Sequence, residues 1–173
     1  PLQGFRWPRG FYYVKERFFM PETFSARSGL DLGEGTEFVN GETCKGISYP
    51  ILTPEGDVDT TRDFATIEVV KRYPASGLEY SQNNGSDEFV TITAGEGYLL
   101  KLKTSGYMSR IALKEGSRVL IRRGEAFAWW QTEWDETKQP LAFDMVCSPP
   151  FDPAQYTHVE HDEYVGSSKK RGE

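Results

Sequence analysis

The sequence predicts one all-β domain, an antiparallel β barrel with an extended N-terminal arm. Three observations lead to this fold class. From Phe64 onward, the chain is a series of short segments rich in β-branched and aromatic residues, which is the composition of strands. Turn sequences such as PASG, NNGSD, AGEG and KEGS separate these segments at the spacing of β sandwiches and barrels. No segment after residue 63 has helical periodicity.

The chain divides into three parts. Glycine and proline break residues 1–62 into irregular stretches, so we expect extended segments and short strands that wrap the barrel, with one helical turn near residues 14–19. Residues 63–152 form the barrel, with strands predicted in FATIEVVKRY, DEFVTITAGEGYLLKLKT, YMSRIALKEG, RVLIRRG and PLAFDMVCS. Residues 153–173 form a polar tail, because the prolines of SPPFDP end the last strand.

Composition narrows the classes of partner. The net charge of −6 argues against binding to nucleic acid or to an anionic membrane. The sequence contains no apolar run long enough to span a membrane, and its first residues lack the apolar core of a secretory signal. Cys44 and Cys147 are too few and too isolated for a disulfide framework. We therefore expect a cytoplasmic protein with two buried free thiols.

Two spaced motifs give the chain a resemblance to a known superfamily. The first consists of Gly77, Glu88 and Gly95, with residues 81–84 (SQNN) before the glutamate. The second consists of Gly116, Gly124 and Phe127, followed by Gln131. This order and spacing resembles the cupin superfamily over residues 64–157, which implies a small jelly-roll barrel.

The resemblance also implies a metal site, and the chain departs from it at the metal ligands. Cupins usually hold a transition metal with three histidines and a glutamate. Here the histidine pair of the first motif is absent, and Phe127 stands at the histidine position of the second motif. Phenylalanine cannot bind a metal, and amide oxygens compete poorly for transition metals. We therefore predict no metal and no other cofactor. His158 and His161 lie beyond the barrel in the polar tail.

Glu88 is the candidate acid or base. Strand alternation places Glu88, Val90 and Ile92 on one face of DEFVTIT, and the resemblance makes this face the interior of the barrel. A carboxyl group among apolar neighbours has a raised pKa, as a general acid or base near neutral pH requires. The alternative is a buried salt bridge between Glu88 and an arginine or lysine, with no chemistry.

Further polar residues are candidates around Glu88. Asp144 lies in mid-strand, where an aspartate is costly unless it is paired or solvated. Either its face is exposed, or Asp144 joins Glu88 as a carboxylate pair that divides the acid and base roles. Tyr80 is a third catalytic candidate. Residues with suitable donors or charges for binding a substrate are Gln82, Asn84, Tyr98, Lys101 and Arg72.

The aromatic residues predict an apolar binding cavity. Phe127 and Trp129 share a strand face and point to where the metal ligand of a cupin would lie, so we expect them to line a small-molecule site. The alternative is core packing, which also uses aromatic residues. The N-terminal arm is rich in aromatic residues as well, and this predicts a homodimer that covers them.

Three functions remain open at this stage. The first is a metal-independent isomerase, cyclase or lyase that acts by proton transfer on an apolar or aromatic metabolite, with Glu88 as the main acid or base. The second is a non-catalytic cupin relic that binds a ligand or serves as a structural subunit. The third is a metal-dependent cupin oxygenase or isomerase with unusual ligands. The sequence contains no nucleotide-binding or Ser-His-Asp signature.

Overall fold

The computed structural model describes residues 11–12, 29–40, 44–69, 80–103, 105–130 and 139–159. The predicted helical turn near residues 14–19, most of the N-terminal arm and the end of the tail lie outside these ranges. The strands are β1 (Phe11–Tyr12), β2 (Thr36–Asn40), β3 (Cys44–Leu52), β4 (Val58–Val69), β5 (Tyr80–Asn83), β6 (Asp87–Ala94), β7 (Glu96–Leu102), β8 (Met108–Lys114), β9 (Arg118–Ile121), β10 (Ala126–Trp130), β11 (Ala142–Ser148) and β12 (Tyr156–Val159).

These strands form two antiparallel sheets. The larger sheet has the order β1-β2-β3-β4-β11-β6-β9, and the smaller has the order β12-β5-β10-β7-β8. A single 3₁₀ turn, Pro153–Gln155, precedes β12. The predicted all-β jelly-roll fold is thus confirmed. The boundary predicted between residues 62 and 63 falls inside β4, and the strands before it pair into the larger sheet.

The hydrophobic core lies between the two sheets. It contains Val90, Ile92 and Phe143 from the larger sheet and Phe127 and Trp129 from the smaller one. The predicted alternation in β6 is confirmed, because Val90 and Ile92 are buried whereas Phe89 is 50% exposed. A sheet with one face on the core produces this period-two pattern.

A second cluster lies on the other face of the smaller sheet. Its buried members are Tyr80, Leu100, Leu102, Ala126 and Ala128. These side chains point away from the main core because they alternate with Phe127 and Leu99, which belong to it. In the described residues, no helix is long and apolar enough to cross a membrane.

The turn between β6 and β7 requires a glycine. Gly95 has a φ of 73°, in the left-handed region that residues with a Cβ rarely adopt. A Cβ at this position would lie 2.4 Å from the carbonyl oxygen of Pro140. The glycine that ends the first motif therefore lets β6 turn tightly against the segment that leads into β11.

Candidate functional site

Glu88 lies inside the molecule, at one end of the main core. It is only 2% exposed, on the same face of β6 as the buried Val90. Its cross-strand neighbours are Cys147 on β11 and Ile121 on β9, and both are buried. The strand pairing therefore places the carboxyl group among largely apolar side chains, as the alternation in the sequence predicts.

Asn83 holds the Glu88 carboxyl group. Its Nδ2 donates a hydrogen bond of 2.9 Å to Glu88 Oε1. Its own Oδ1 accepts from the backbone N–H groups of Gly85 at 3.0 Å and Ser86 at 3.1 Å. The turn after β5 thus fixes the orientation of the Asn83 side-chain amide. Its NH₂ group, rather than its carbonyl oxygen, therefore faces Glu88.

Tyr156 makes a second polar contact between the two sheets, through Asn40. It pairs with Asn83 across β12 and β5, so the two side chains point to the same side. Asn40 Nδ2 on β2 donates a 3.0 Å hydrogen bond to Tyr156 Oη, and a further side-chain hydrogen bond joins Tyr156 to Ser81. Asn40 Oδ1 is buried and has no hydrogen-bond partner among the described residues. Polar side chains therefore connect both sheets beside Glu88.

The surroundings of Glu88 favour its neutral form. Burial raises the pKa of Glu88 to about 7, the hydrogen bond from Asn83 opposes this rise, and the charge of Asp63 adds to it. Loss of hydration in a low-dielectric interior disfavours the carboxylate. Near neutral pH, both the acid and its conjugate base are therefore populated at this position.

The two cysteines beside Glu88 are neutral thiols. Burial, and then the charge of Glu88, raises the pKa of Cys44 to about 12. Burial and the charges of Glu88 and Asp63 also raise the pKa of Cys147. Because the thiolate is the reactive form of cysteine, neither residue is a nucleophile in this state. Both are free, as the sequence predicts.

Asp63 is the carboxylate that the sequence analysis missed. Its position on β4 pairs with Cys147 on β11, and Cys147 pairs with Glu88 on β6. The three residues therefore form one row across three strands on the inner face. The backbone N–H of Phe151 donates a 2.8 Å hydrogen bond to Asp63 Oδ2. No signal in the sequence identifies this row, because it depends on the pairing of strands that are distant along the chain.

Asp144 does not join Glu88. It lies next to Phe143 on β11 and pairs with Thr91 and Thr66, and these positions alternate with the buried inner-face residues. Its side chain therefore points to the outer face of the larger sheet, so the predicted pairing of Asp144 with Glu88 is wrong. The reason is that Phe143 and Cys147 occupy the inner face of the same strand.

Tyr80 and Tyr98 also lie on the face of their sheet opposite the main core. Tyr80 Oη donates to Met108 Sδ at 3.1 Å, and Tyr80 belongs to the second cluster. The Tyr98 ring lies 5.9 Å from the ring of Trp130, and the Arg110 guanidinium stacks over it at 4.3 Å. The structure therefore does not bring either tyrosine to Glu88.

Lys101 already has an ionic partner. Its Nζ lies 2.6 Å from Glu125 Oε2 and also donates to the carbonyl of Leu120 at 2.6 Å. These bonds occupy the ammonium group that we predicted to bind an anionic substrate. Arg72, predicted for the same role, lies outside the described residues.

The structure does not bring Gln82 or Asn84, the two amide side chains that we predicted to bind a substrate, to Glu88. Gln82 alternates with the inward-facing Ser81 and Asn83 on β5, and its Nε2 donates to the carbonyl of Gly124 at 2.7 Å. Asn84 is exposed, and its backbone N–H donates to the carbonyl of Gln155 at 2.9 Å. Within this segment, Asn83 rather than its two neighbours contacts Glu88.

Phe127 and Trp129 point into the core, as predicted, and pack against other rings. Their ring centroids are 6.0 Å apart in an edge-to-face arrangement, and the Trp129 ring lies 4.3 Å from that of Phe143 on the other sheet. These ring contacts join the two sheets at Phe143. Phe143 lies four residues before Cys147 on β11, and Cys147 is the cross-strand neighbour of Glu88. The described contacts of these rings are those of core packing.

The residues at the expected metal position do not fit a transition metal. Phe127, which replaces the histidine of the second motif, offers no donor atom. Glu88 Oε1 already accepts a hydrogen bond from the Asn83 amide. Among the described residues, no group of three or more His, Cys, Asp or Glu side chains is placed to hold a metal ion.

Glu88 has no cationic partner in the described part of the chain. The ion pairs there are Lys45–Glu68, Arg62–Asp59, Lys101–Glu125 and Arg123–Asp87. The salt bridge that we considered for Glu88 is therefore not among them. A buried carboxyl group held by a neutral amide can release or accept a proton near pH 7.

The comparisons with known proteins show the fold. No family model matches the chain, and no curated protein matches it. The Streptomyces nucleoside dehydratase Pac13 superimposes with a TM-score of 0.52 and 12% identity over 78% of this chain and 94% of Pac13, and variants of Pac13 solved with uridine give the same score. A 7S globulin from Momordica charantia gives a TM-score of 0.50 and 10% identity over 87% of this chain and 37% of the globulin. At these identities the two neighbours show a shared β fold and nothing further.

Proposed function

We propose that this protein is an enzyme of the isomerase, cyclase or lyase type that acts on a small molecule by proton transfer without a metal. The observation that carries the proposal is the state of Glu88: a buried carboxyl group that is held by an amide, has no ionic partner among the described residues, and has a pKa of about 7. With this pKa both protonation states are populated at working pH, and perturbed pKa values of this kind are concentrated at functional sites.

One residue can supply both proton transfers of such a reaction. In a dehydration, Glu88 gives its proton to the leaving hydroxyl group, and the C–O bond breaks with its electron pair on the departing water. The resulting carboxylate then takes a proton from the neighbouring carbon, whose C–H electrons form the double bond. Glu88 ends the cycle protonated, so the products are the alkene and water.

Nucleosides are the first substrates to test. The fold of this chain is shared with Pac13, a nucleoside dehydratase, and Asn83, Ser81 and Tyr156 offer neutral hydrogen-bonding groups of the kind that recognise an uncharged polar molecule. The substrate needs a route to Glu88, which is buried. We expect this route beside β12, a strand of four residues that has one neighbouring strand among the described residues.

The second candidate function is a non-catalytic barrel that binds a ligand or serves as a structural subunit. The observation in its favour is the packing of Phe127, Trp129 and Phe143, whose rings fill the region that we predicted to be a binding cavity. In this case the polar network around Glu88 specifies the arrangement of the two sheets and performs no chemistry.

A turnover assay with matched variants separates these candidates. Purified protein is incubated with uridine, cytidine and a panel of small hydroxylated aromatic metabolites, and products are identified by mass spectrometry. We expect at least one compound to be converted, with turnover about a hundredfold lower in Glu88→Gln and unchanged in Glu96→Gln, which alters an exposed residue of β7. Equal turnover in Glu88→Gln would exclude Glu88 as the catalyst. Thermal stabilisation by a compound that is never converted would favour the ligand-binding barrel.

The expected homodimer stays a prediction. Light scattering at micromolar concentration tests it, since the predicted mass is twice that of one chain.

A further inference from the structure

The inner face of the larger sheet has two carboxyl groups on either side of one thiol. Asp63 on β4, Cys147 on β11 and Glu88 on β6 are successive cross-strand neighbours. Adjacent strands lie about 4.8 Å apart, so the backbones that carry the two carboxyl groups are separated by roughly 10 Å. Both side chains extend from the same face of the sheet, with the Cys147 side chain between them.

The two carboxyl groups are stabilised in different ways. Partial burial raises the pKa of Asp63, and the 2.8 Å hydrogen bond that its Oδ2 accepts from the backbone N–H of Phe151 opposes this rise, because a charge-assisted bond of this kind favours the ionised form. Asp63 also has a side-chain hydrogen bond with Cys147. Glu88 is buried and, among the described residues, has one hydrogen bond, from the neutral amide of Asn83. The same negative charge is therefore less costly on Asp63 than on Glu88.

In the described ranges, the other groups that face Glu88 do not compensate a second negative charge. The titratable ones are Cys147 on β11, Cys44 on β3 and Tyr156 on β12, and each is neutral because its pKa is raised. Asn83 on β5 and Ile121 on β9 do not titrate. Two carboxylates in such surroundings repel each other, and one of them retains a proton.

We propose that Asp63 is the second carboxylate of the site and that it shares one proton with Glu88 near neutral pH, with the proton on Glu88 and the charge on Asp63. This inference rests on the proposed function in one respect: it makes Asp63 the residue that prepares Glu88 to act first as an acid. Asp63 is thus a positioning residue that acts through Glu88. It takes the place that the sequence analysis gave to Asp144.

The test is a titration that needs no substrate. Carboxyl groups labelled with ¹³C are followed by NMR as a function of pH in the wild type, in Asp63→Asn and in the matched control Asp144→Asn, which alters a carboxylate on the outer face. We expect Asp63→Asn to lower the midpoint of Glu88 by about one unit, the scale of coupled sites, and Asp144→Asn to leave it unchanged. An unchanged Glu88 midpoint in Asp63→Asn would overturn the proposal.

The reciprocal variant shows which residue holds the proton. Glu88 is neutral while Asp63 titrates, so Glu88→Gln is expected to leave the Asp63 midpoint nearly unchanged. A clear fall in that midpoint would place the proton on Asp63 and contradict the assignment. Asparagine retains the acceptor for the Phe151 N–H, and Asp63→Ser gives the same neutral comparison if Asp63→Asn does not fold.

Activity gives a separate readout. Once a substrate is known, Asp63→Asn should move the basic limb of the pH profile to lower pH, because Glu88 then loses its proton earlier. Coupled titration without any turnover would support the proton-sharing pair and reject the enzyme. Turnover that depends on Glu88 but not on Asp63, with uncoupled titration, would reject only the pair.

Discussion

Asn40 and Tyr156 join the two sheets through a 3.0 Å hydrogen bond from Asn40 Nδ2 to Tyr156 Oη. Asn40 belongs to β2 in the larger sheet, and Tyr156 belongs to β12 at the edge of the smaller one. Both residues are buried. The bond therefore joins elements that are far apart in the sequence, beside the carboxyl group proposed to act in catalysis.

We expect Tyr156→Phe to destabilise the protein by about 1–3 kcal/mol, because it leaves the buried Asn40 amide without its remaining side-chain partner. The free energy of unfolding in urea measures the effect. The matched control is Tyr107→Phe, since Tyr107 is 68% exposed, and we expect it to change the stability by less than about 0.5 kcal/mol. Equal effects of the two variants would contradict this role of the bond.

The pKa of Glu88 predicts a pH-dependent stability. The pKa rises from the ordinary value of 4.5 to about 7 on folding, so the folded state binds the proton more tightly than the unfolded state. Between these two pH values the unfolded chain is ionised and the folded protein is not. The contribution of Glu88 to stability is therefore full below about pH 4.5 and is lost as the pH rises to about 7.

We expect Glu88→Gln to remove this dependence. Its stability relative to the wild type should rise by about 3 kcal/mol between pH 4.5 and pH 8, since each pKa unit corresponds to about 1.4 kcal/mol. Urea unfolding at the two pH values measures the change, with Glu96→Gln as the matched control. A difference between Glu88→Gln and wild type that does not vary with pH would show that Glu88 titrates normally.

The turn at Gly95 gives a prediction about the backbone. Gly95→Ala places a Cβ 2.4 Å from the carbonyl oxygen of Pro140 at a φ of 73°, so we expect a loss of several kcal/mol, more than the 1–2 kcal/mol of the left-handed conformation alone. Gly116→Ala is the control, because Gly116 has a φ of 82° with no atom within 4 Å of the added Cβ. Thermal unfolding compares the two, and similar melting temperatures would contradict the steric argument.

The side chains at the position where a cupin would hold its metal predict the metal content of the purified protein. Phe127 cannot bind a metal, and Glu88 is engaged with Asn83, so we expect no stoichiometric Fe, Mn, Ni, Cu or Zn after dialysis. Elemental analysis of the purified protein measures this, and chelator treatment should leave the melting temperature unchanged. About one such metal per chain would restore the metal-dependent alternative.

Much of the fold follows from local patterns in the sequence. The alternation of DEFVTIT correctly places Glu88, Val90 and Ile92 on the buried face, because the period of two is a property of a single strand. The turns at Gly95, Gly116 and Gly124, all with positive φ, occur where the motifs place glycines. These local signals predict an antiparallel all-β domain, and the jelly roll was what the cupin resemblance implied.

The composition of the site depends on pairings that local patterns do not determine. Asp63 neighbours Glu88 only because β11 lies between β4 and β6, and no period within one strand specifies that order. The role of Asn83, rather than Gln82 or Asn84, depends on the register of β5 against β12. The face of Asp144 follows from the burial of Phe143 and Cys147, which the sequence left as one of two alternatives.

Different kinds of contact join the two sheets at the two ends of the interior. At one end the Trp129 and Phe143 rings lie 4.3 Å apart across the sheets, and at the other the sheets are joined by the amides of Asn40 and Asn83. Local opening begins where few apolar contacts must separate. On β12 the contacts of Tyr156 with the core and with the Phe151 ring would have to separate, but this strand has only four residues and lies at the edge of the smaller sheet, so its backbone would exchange hydrogen with solvent sooner than that of the aromatic end. A guest molecule would enter the interior at the β12 end without unfolding the rest of the protein.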